Sequence, residues 1–174
     1  MSQPLVTYTT YDGAEYTVLE RPESSDGALL MQFRLPPGAG VPPAHVHPHT
    51  FEIFEVREGE FETLLRKEWR KLKAGESVTV EAGVRHTFRN ESGSEVVVRN
   101  VHEPHHHFEA YIRSIANISQ ETQSASPAVL ERRSVWRSYG GRHEDLIRPA
   151  DPPLKAAFPV LRGVGRMARM STPA

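Results

Sequence analysis

The 174-residue chain contains no cysteine. Disulfides, thiolate nucleophiles and iron–sulfur clusters are thereby excluded, and any bound metal must be held by nitrogen and oxygen. An excess of charge is also missing: 21 Lys/Arg against 22 Asp/Glu give a formal net charge of −1. No global field draws nucleic acid or an anionic membrane surface to such a chain. No apolar run approaches the roughly 20 residues that cross a bilayer. The opening "MSQPLVTYTTYDG" does not place an apolar segment behind a basic one, as a secretory signal would. The expectation is a cytoplasmic protein of one domain, with or without an appendage, that has neither nucleic acid nor membrane as partner.

What is present is a series of short β-rich runs. "LVTYTTYDGAEYTVLE" brackets Asp12-Gly13, a dipeptide suited to the positive dihedrals of a tight hairpin. "ALLMQFRL" follows and stops at Pro36-Pro37-Gly38. "FEIFEVREGEFETLLR" turns at Glu58-Gly59, "ESVTVEAG" stops at Gly83, "RHTFRN" stops near Gly93, and "SEVVVRNV" ends before Pro104. Short strands with glycine turns indicate a mainly β domain, an antiparallel sandwich or barrel, over residues 1–104.

After Pro104 the period changes. Phe108, Tyr111, Ile112 and Ile115 fall at i, i+3, i+4 and i+7, the stripe of an amphipathic helix that packs on a core. "SQETQSAS" reads as a polar linker. Ser126-Pro127 then supplies an N-cap and a proline in the first turn, so a second helix is expected from Ala128 to Tyr139, before Gly140-Gly141. Leu154, Ala157, Phe158 and Leu161 suggest a last, short or kinked helix, interrupted by Pro159. Residues 105–174 are thus expected to be a C-terminal helical appendage packed on the barrel.

The chemistry concentrates in "AHVHPHTFEIFEV". Side chains along a strand alternate between faces, so His45 and His47 point one way. Phe54 and Val56 share the parity of Glu52 and turn that carboxylate inward, where an unpaired charge loses several kcal/mol of solvation. A divalent cation offsets that loss. His47 and Glu52 differ in parity, and Pro48 is a plausible place for the chain to break between them. His86 shares its parity with Phe88 and Asn90 and can also face inward. Three imidazoles and one carboxylate suit iron(II), manganese, nickel, copper or zinc, with positions left for water or substrate.

These segments resemble the paired motifs of the cupin superfamily. Gly40, His45, His47, Glu52 and Gly59 fill the places of its first motif, with the opening gap one residue short. Gly75, Gly83, His86 and Asn90 fill those of the second, with Glu81 standing where a proline is usual. The resemblance implies a double-stranded β-helix of six to eight strands, in which His45, His47, Glu52 and His86 bind one divalent transition metal. It is similar above all to small bacterial single-domain cupins with a helical C-terminal appendage, which commonly dimerise by strand exchange. A homodimer is therefore expected, with the hairpin at Asp12-Gly13 as participant.

Other polar residues are weighed against this set. His49, after Pro48, is a substitute for one of the four, a donor supporting the site, or an exposed loop residue, and the run His105-His106-His107 reads as surface. Tyr16, Glu60, Glu62 and His102 are candidates for a general acid or base by strand placement alone. Phe108 and Tyr111 are expected in the helix core. Arg85 and Arg89 lie close in sequence to a ligand. Phe54, Val56, Phe61, Val78, Val80 and Phe88 would make the interior mostly apolar, favouring a small aromatic or enolic ligand. A dioxygenase is the leading expectation; a metal-dependent isomerase or decarboxylase and a non-catalytic small-molecule or metal binder are the alternatives.

Overall fold

The computed structural model describes residues 5–39, 42–124 and 147–150. Gly40, the expected helix at 128–139 and the interrupted segment around Pro159 lie outside the described residues.

Eleven strands and one helix are found among the described residues: β1 (Val6–Thr9), β2 (Glu15–Glu20), β3 (Leu29–Leu35), β4 (His45–Val46), β5 (Phe51–Glu58), β6 (Glu60–Leu65), β7 (Glu68–Lys73), β8 (Ser77–Val80), β9 (His86–Arg89), β10 (Val96–Glu103), α1 (Phe108–Thr122) and β11 (Arg148–Pro149). They form two antiparallel sheets, in the orders β1-β2-β3-β10-β5-β8 and β11-β4-β9-β6-β7.

Alternation decides which face is inside. In β3, Leu29, Met31, Phe33 and Leu35 are buried while Leu30, Gln32 and Arg34 are only partly so. In β5, Glu52, Phe54 and Val56 are buried and Ile53 and Glu55 are not. This period of two is what a half-buried strand requires, and slipping β5 by one residue would exchange the two sets.

The expected first hairpin is present: β1 pairs with β2, and Gly13 turns at φ +84°. At Glu58-Gly59 the chain turns without forming a hairpin, because β5 belongs to the first sheet and β6 to the second. Gly59 makes this corner at φ +81°, and a Cβ on it would meet the Glu95 carbonyl oxygen at 2.8 Å. Only glycine combines that conformation with that approach.

Strand β7 has no counterpart in the sequence pattern. It pairs with β6 as an outer strand, and only Leu72 of its six residues is buried, so its composition carries no alternation to read. The stretch from Ser119 corrects another expectation. Ser119 to Thr122 complete α1, and the fully buried Ser119 accepts a hydrogen bond from the Tyr11 backbone N–H at 2.7 Å. A polar residue placed at a helix–hairpin contact reads as linker because its partner is distant in sequence. Phe108 and Ile112 face the core as the helical stripe requires, with Tyr111 packed against it. Late in the chain, β11 returns to pair with β4, setting Arg148 opposite Val46 and Pro149 opposite His45.

The core is layered along the barrel. Val56 and Val98 oppose each other in one layer, Phe54 and Asn100 in the next, and Glu52 and His102 in the last. The sequence is apolar in the first of these and polar in the last, so the chemistry sits at one end of a packed interior.

Candidate metal centre

Strand β4 is two residues long, yet it sets His45 directly opposite His86 of β9. The two rings lie 4.2 Å apart. His45 Nδ1 is 2.8 Å from the Pro43 carbonyl oxygen and His86 Nδ1 is 2.9 Å from that of Val84. A carbonyl only accepts, so each Nδ1 carries a proton, and in the neutral ring each Nε2 keeps a lone pair that a metal could take.

His47 follows β4 directly, just before a bend at Pro48 and His49. Its carbonyl accepts the Gly83 N–H at 2.8 Å, which ties the two histidine segments together, and Gly83 itself turns at φ +77°. The break expected near Pro48 thus lies between His47 and β5. Glu52, second residue of β5, then points its Oε2 to within 2.9 Å of His86 Nε2 and 3.7 Å of His47 Nε2. One potential ligand atom from each of His45, His47, Glu52 and His86 lies within 4.8 Å of the others, and all four residues are buried.

The electrostatics of this cluster favour a cation. Burial drives His45 well below the ordinary imidazole value, with the neighbouring His86 and His47 acting in the same direction. Burial likewise lowers His102 to about 4, against the pull of Glu52. For Glu52, burial opposes ionisation, but the imidazoles of His102, His86 and His47 outweigh it and hold the carboxyl below the usual range. An ionised carboxylate therefore stands in the same cluster as His45 and His102, whose charged forms burial disfavours. His86 Nε2 and Glu52 Oε2 are both fully buried and make no hydrogen bond. At 2.9 Å the two atoms repel unless a proton or a cation lies between them. The donor set fits a divalent transition metal.

The four residues expected from their spacing are thus brought together. His49 is exposed, His107 is exposed, and His105 and His106 are half-buried; none of these joins the cluster. Tyr16 lies in the core, edge-on to Phe33 at 5.0 Å, and burial pushes its phenol far up. Glu60 and Glu62 are corrected as acid–base candidates. Both pair with Lys71, and Glu62 also pairs with Arg89, on the face of β6 opposite the buried Phe61 and Thr63. Arg89 in turn covers the Trp69 ring at 3.9 Å, and Arg85 donates to the Arg66 carbonyl, so both are occupied outside the cluster.

His102 is the acid–base candidate that reaches the site. It stands opposite Glu52 in the β10–β5 ladder, with Nε2 3.2 Å from Glu52 Oε1. Asn100, two residues earlier, donates to the same oxygen at 2.8 Å. The signal for Asn100 was in the pattern: Val96, Val98, Asn100 and His102 share one parity, so a strand that turns its valines inward also turns in an amide and an imidazole.

Phe54, Val56, Phe61, Val80 and Phe88 are all buried, as expected, and Val78 is partly so. The rings of Phe54, Phe61 and Phe88 contact one another at 5.2 to 5.7 Å, and Phe33 joins at 5.9 Å from Phe88. They form a packed aromatic layer next to the His/Glu cluster.

Two antiparallel sheets closing over a core, with a polar His/Glu cluster at one end, define a double-stranded β-helix with a metal-competent interior. Residues 31–107 match the Cupin_2 model, "Cupin domain". Residues 31–107 are thus a cupin domain, and the fold built around them is the cupin double-stranded β-helix. The chain's fold is similar to that of an RmlC-like cupin from Shewanella frigidimarina NCIMB 400, at TM-score 0.52 and 19% identity over 60% of this chain and 87% of that one. It is also similar to a predicted oxalate decarboxylase from Thermotoga maritima, at TM-score 0.50 and 24% identity over 58% of this chain and 91% of that one. No curated protein matches the chain.

Proposed function

We propose that His45, His47, Glu52 and His86 hold one divalent transition metal, iron, manganese, nickel, copper or zinc, and that the protein acts on a small molecule brought to that ion. The observation that carries this reading is the convergence of three buried imidazoles and one buried carboxylate within 4.8 Å. Four protein ligands leave positions free on a five- or six-coordinate ion. When bound, the ion supplies Lewis acidity and, if it is iron, redox capacity toward dioxygen.

The chain's own residues supply the rest. The Pro43 and Val84 carbonyls orient His45 and His86, Gly83 anchors the His47 backbone, and the aromatic layer of Phe54, Phe61 and Phe88 keeps water from the underside of the cluster. A redox-capable ion on an apolar floor supports the dioxygenase reading, with an aromatic or enolic substrate. The likeness in fold to the Thermotoga protein, described as a predicted oxalate decarboxylase, favours a second reading: a redox-inert ion polarising a carbonyl for decarboxylation or isomerisation. The protein is proposed to work as a cytoplasmic homodimer, with residues 1–104 as the barrel and 105–174 as its appendage.

The test is elemental analysis of untagged protein, washed with a mild chelator to clear His105 to His107, beside a Glu52→Ala/His86→Ala double variant. About one ion per chain, absent from the variant, is the expected result. Iron would lead to dioxygen-uptake assays with catechols and enols. No metal in either protein would leave a non-catalytic binding pocket as the function.

A further inference from the structure

Glu52 presents its two oxygens to different surroundings. Oε2 faces His47 and His86, whereas Oε1 faces Asn100 and His102 of the neighbouring strand. The amide of Asn100 is fixed in one orientation, because its Nδ2 meets Glu52 Oε1 at 2.8 Å and the Ile53 carbonyl at 3.3 Å. Turning it over would set an oxygen against two acceptors.

His102 is fully buried, and neither ring nitrogen makes a hydrogen bond within ordinary geometric limits. A buried imidazole left in that condition costs free energy unless something else uses it. Two contacts define its position. Its Nε2 lies 3.2 Å from Glu52 Oε1, and its ring stacks on Phe108 at 3.5 Å with an interplanar angle of 20°. Phe108 is the first residue of α1 and also touches the His47 ring edge-on at 5.7 Å. The ring of His102 is therefore clamped between the carboxylate and the start of the helix.

We infer that Asn100 and His102 are positioning residues that occupy Glu52 Oε1, so that Oε2 alone is offered to the metal, and that Phe108 transmits the seating of α1 to this arrangement. The inference rests on the proposed metal site. With Oε1 engaged, Glu52 is a one-oxygen ligand, and a coordination position that a chelating carboxylate would fill remains open. His102 itself is outside the group of four whose ligand atoms converge, which places it behind the carboxylate.

The helix gives this arrangement its particular form. Family resemblance covers residues 31–107, and the ring that holds His102 in place is the next residue. Docking of α1 is separately fixed by Tyr8 and Arg21 on Glu109. Loosening Phe108 should therefore alter the metal site before it releases the helix.

The experiment titrates Co²⁺ into metal-free protein and follows its d–d absorption, for wild type, Asn100→Leu, His102→Ala, His102→Gln and Phe108→Ala. Supporting residues of this kind are typically worth 10- to 100-fold in metal affinity. His102→Ala and Asn100→Leu are expected to weaken Co²⁺ by about that factor and to change the band shape as Glu52 becomes free to chelate. His102→Gln, which restores an N–H near Oε1, should recover most of the wild-type spectrum, and Phe108→Ala should shift it in the same direction as His102→Ala. If wild type takes up one Co²⁺ but His102→Ala and Asn100→Leu leave affinity and spectrum unchanged, this inference is overturned while the metal site stands. If wild type takes up no Co²⁺, the metal site fails and the inference with it. Should His102→Ala not fold, Asn100→Leu decides the matter: a weakened, altered Co²⁺ spectrum supports the inference, and an unchanged one overturns it.

Discussion

His45 and His86 face each other across the β4–β9 ladder, and each commits its Nδ1 to the backbone carbonyl two residues before it. Both imidazoles are thereby held in the tautomer that leaves Nε2 as the ligand atom, ahead of any metal binding. The expected consequence is a strong linkage between metal and stability. An ion that binds the folded chain alone stabilises it by about 2.7 kcal/mol at 100 times its Kd. Calorimetric melting with and without Zn²⁺ should show a clear rise in Tm for wild type and almost none for His47→Ala or His86→Ala. Equal Tm rises in wild type and both variants would place the metal elsewhere, for example on His105 to His107.

Gly59 allows the turn that passes the chain from the first sheet to the second. Alanine there must adopt φ near +81° and bring its Cβ to 2.8 Å from the Glu95 carbonyl oxygen. Strain of that kind costs about 1 to 3 kcal/mol. Urea unfolding of Gly59→Ala should show a lower midpoint with an unchanged slope. A midpoint equal to wild type would mean that the corner relaxes without cost.

Much of this was legible in the chain. His45, His47, Glu52 and His86 declare themselves because strand parity and paired motifs both point them to one place, and the valine-and-phenylalanine alternation marks the inner face. What stayed hidden depends on contacts between distant segments. Strand β7 exposes nearly every residue and so has no pattern. Ser119 reads as linker until Tyr11 is seen against it. The role of Asn100 follows from parity only once β10 is known to lie beside β5, because its partner Glu52 is 48 residues away. The two sides of Gly59 look like a hairpin, and only the packing of two sheets turns them into a corner.

The clamp on α1 should respond to acid. Arg21 donates twice to Glu109, from Nε and Nη2 at 2.6 Å each, and the Tyr8 hydroxyl adds a third bond at 2.8 Å. Arg21 holds Glu109 below the ordinary carboxylate range, burial opposes this, and Tyr8 reinforces it. A carboxylate lowered on folding contributes stability that is complete above its unfolded value, about 4.3, and is lost as pH falls through the folded one. Because Arg21 is 45% exposed, the gain is modest, about 1 kcal/mol or less. Glu109→Gln should melt a few degrees below wild type at pH 7, and the gap should close toward pH 3. A gap that stays constant over that range would rule out an ionic origin.

Phe88 separates two accounts of the space under the cluster. It lies two residues beyond His86 on the same face of β9 and packs against Phe33, Phe54 and Phe61. If these rings are close-packed, removing one leaves a cavity, and Phe88→Ala should cost about 3 to 5 kcal/mol. If they instead line open space for a substrate, truncation removes few contacts and the cost should fall near 1 kcal/mol. The contacts at 5.5 to 5.9 Å favour the larger loss. Phe88→Leu, which keeps most of the volume, should lose less stability and still bind one Zn²⁺ per chain, since no ligand atom depends on the ring. Chemical denaturation of both variants, with Zn²⁺ stoichiometry measured on each, decides between the accounts. A near-neutral Phe88→Ala would return the aromatic layer to the list of surfaces that a substrate touches.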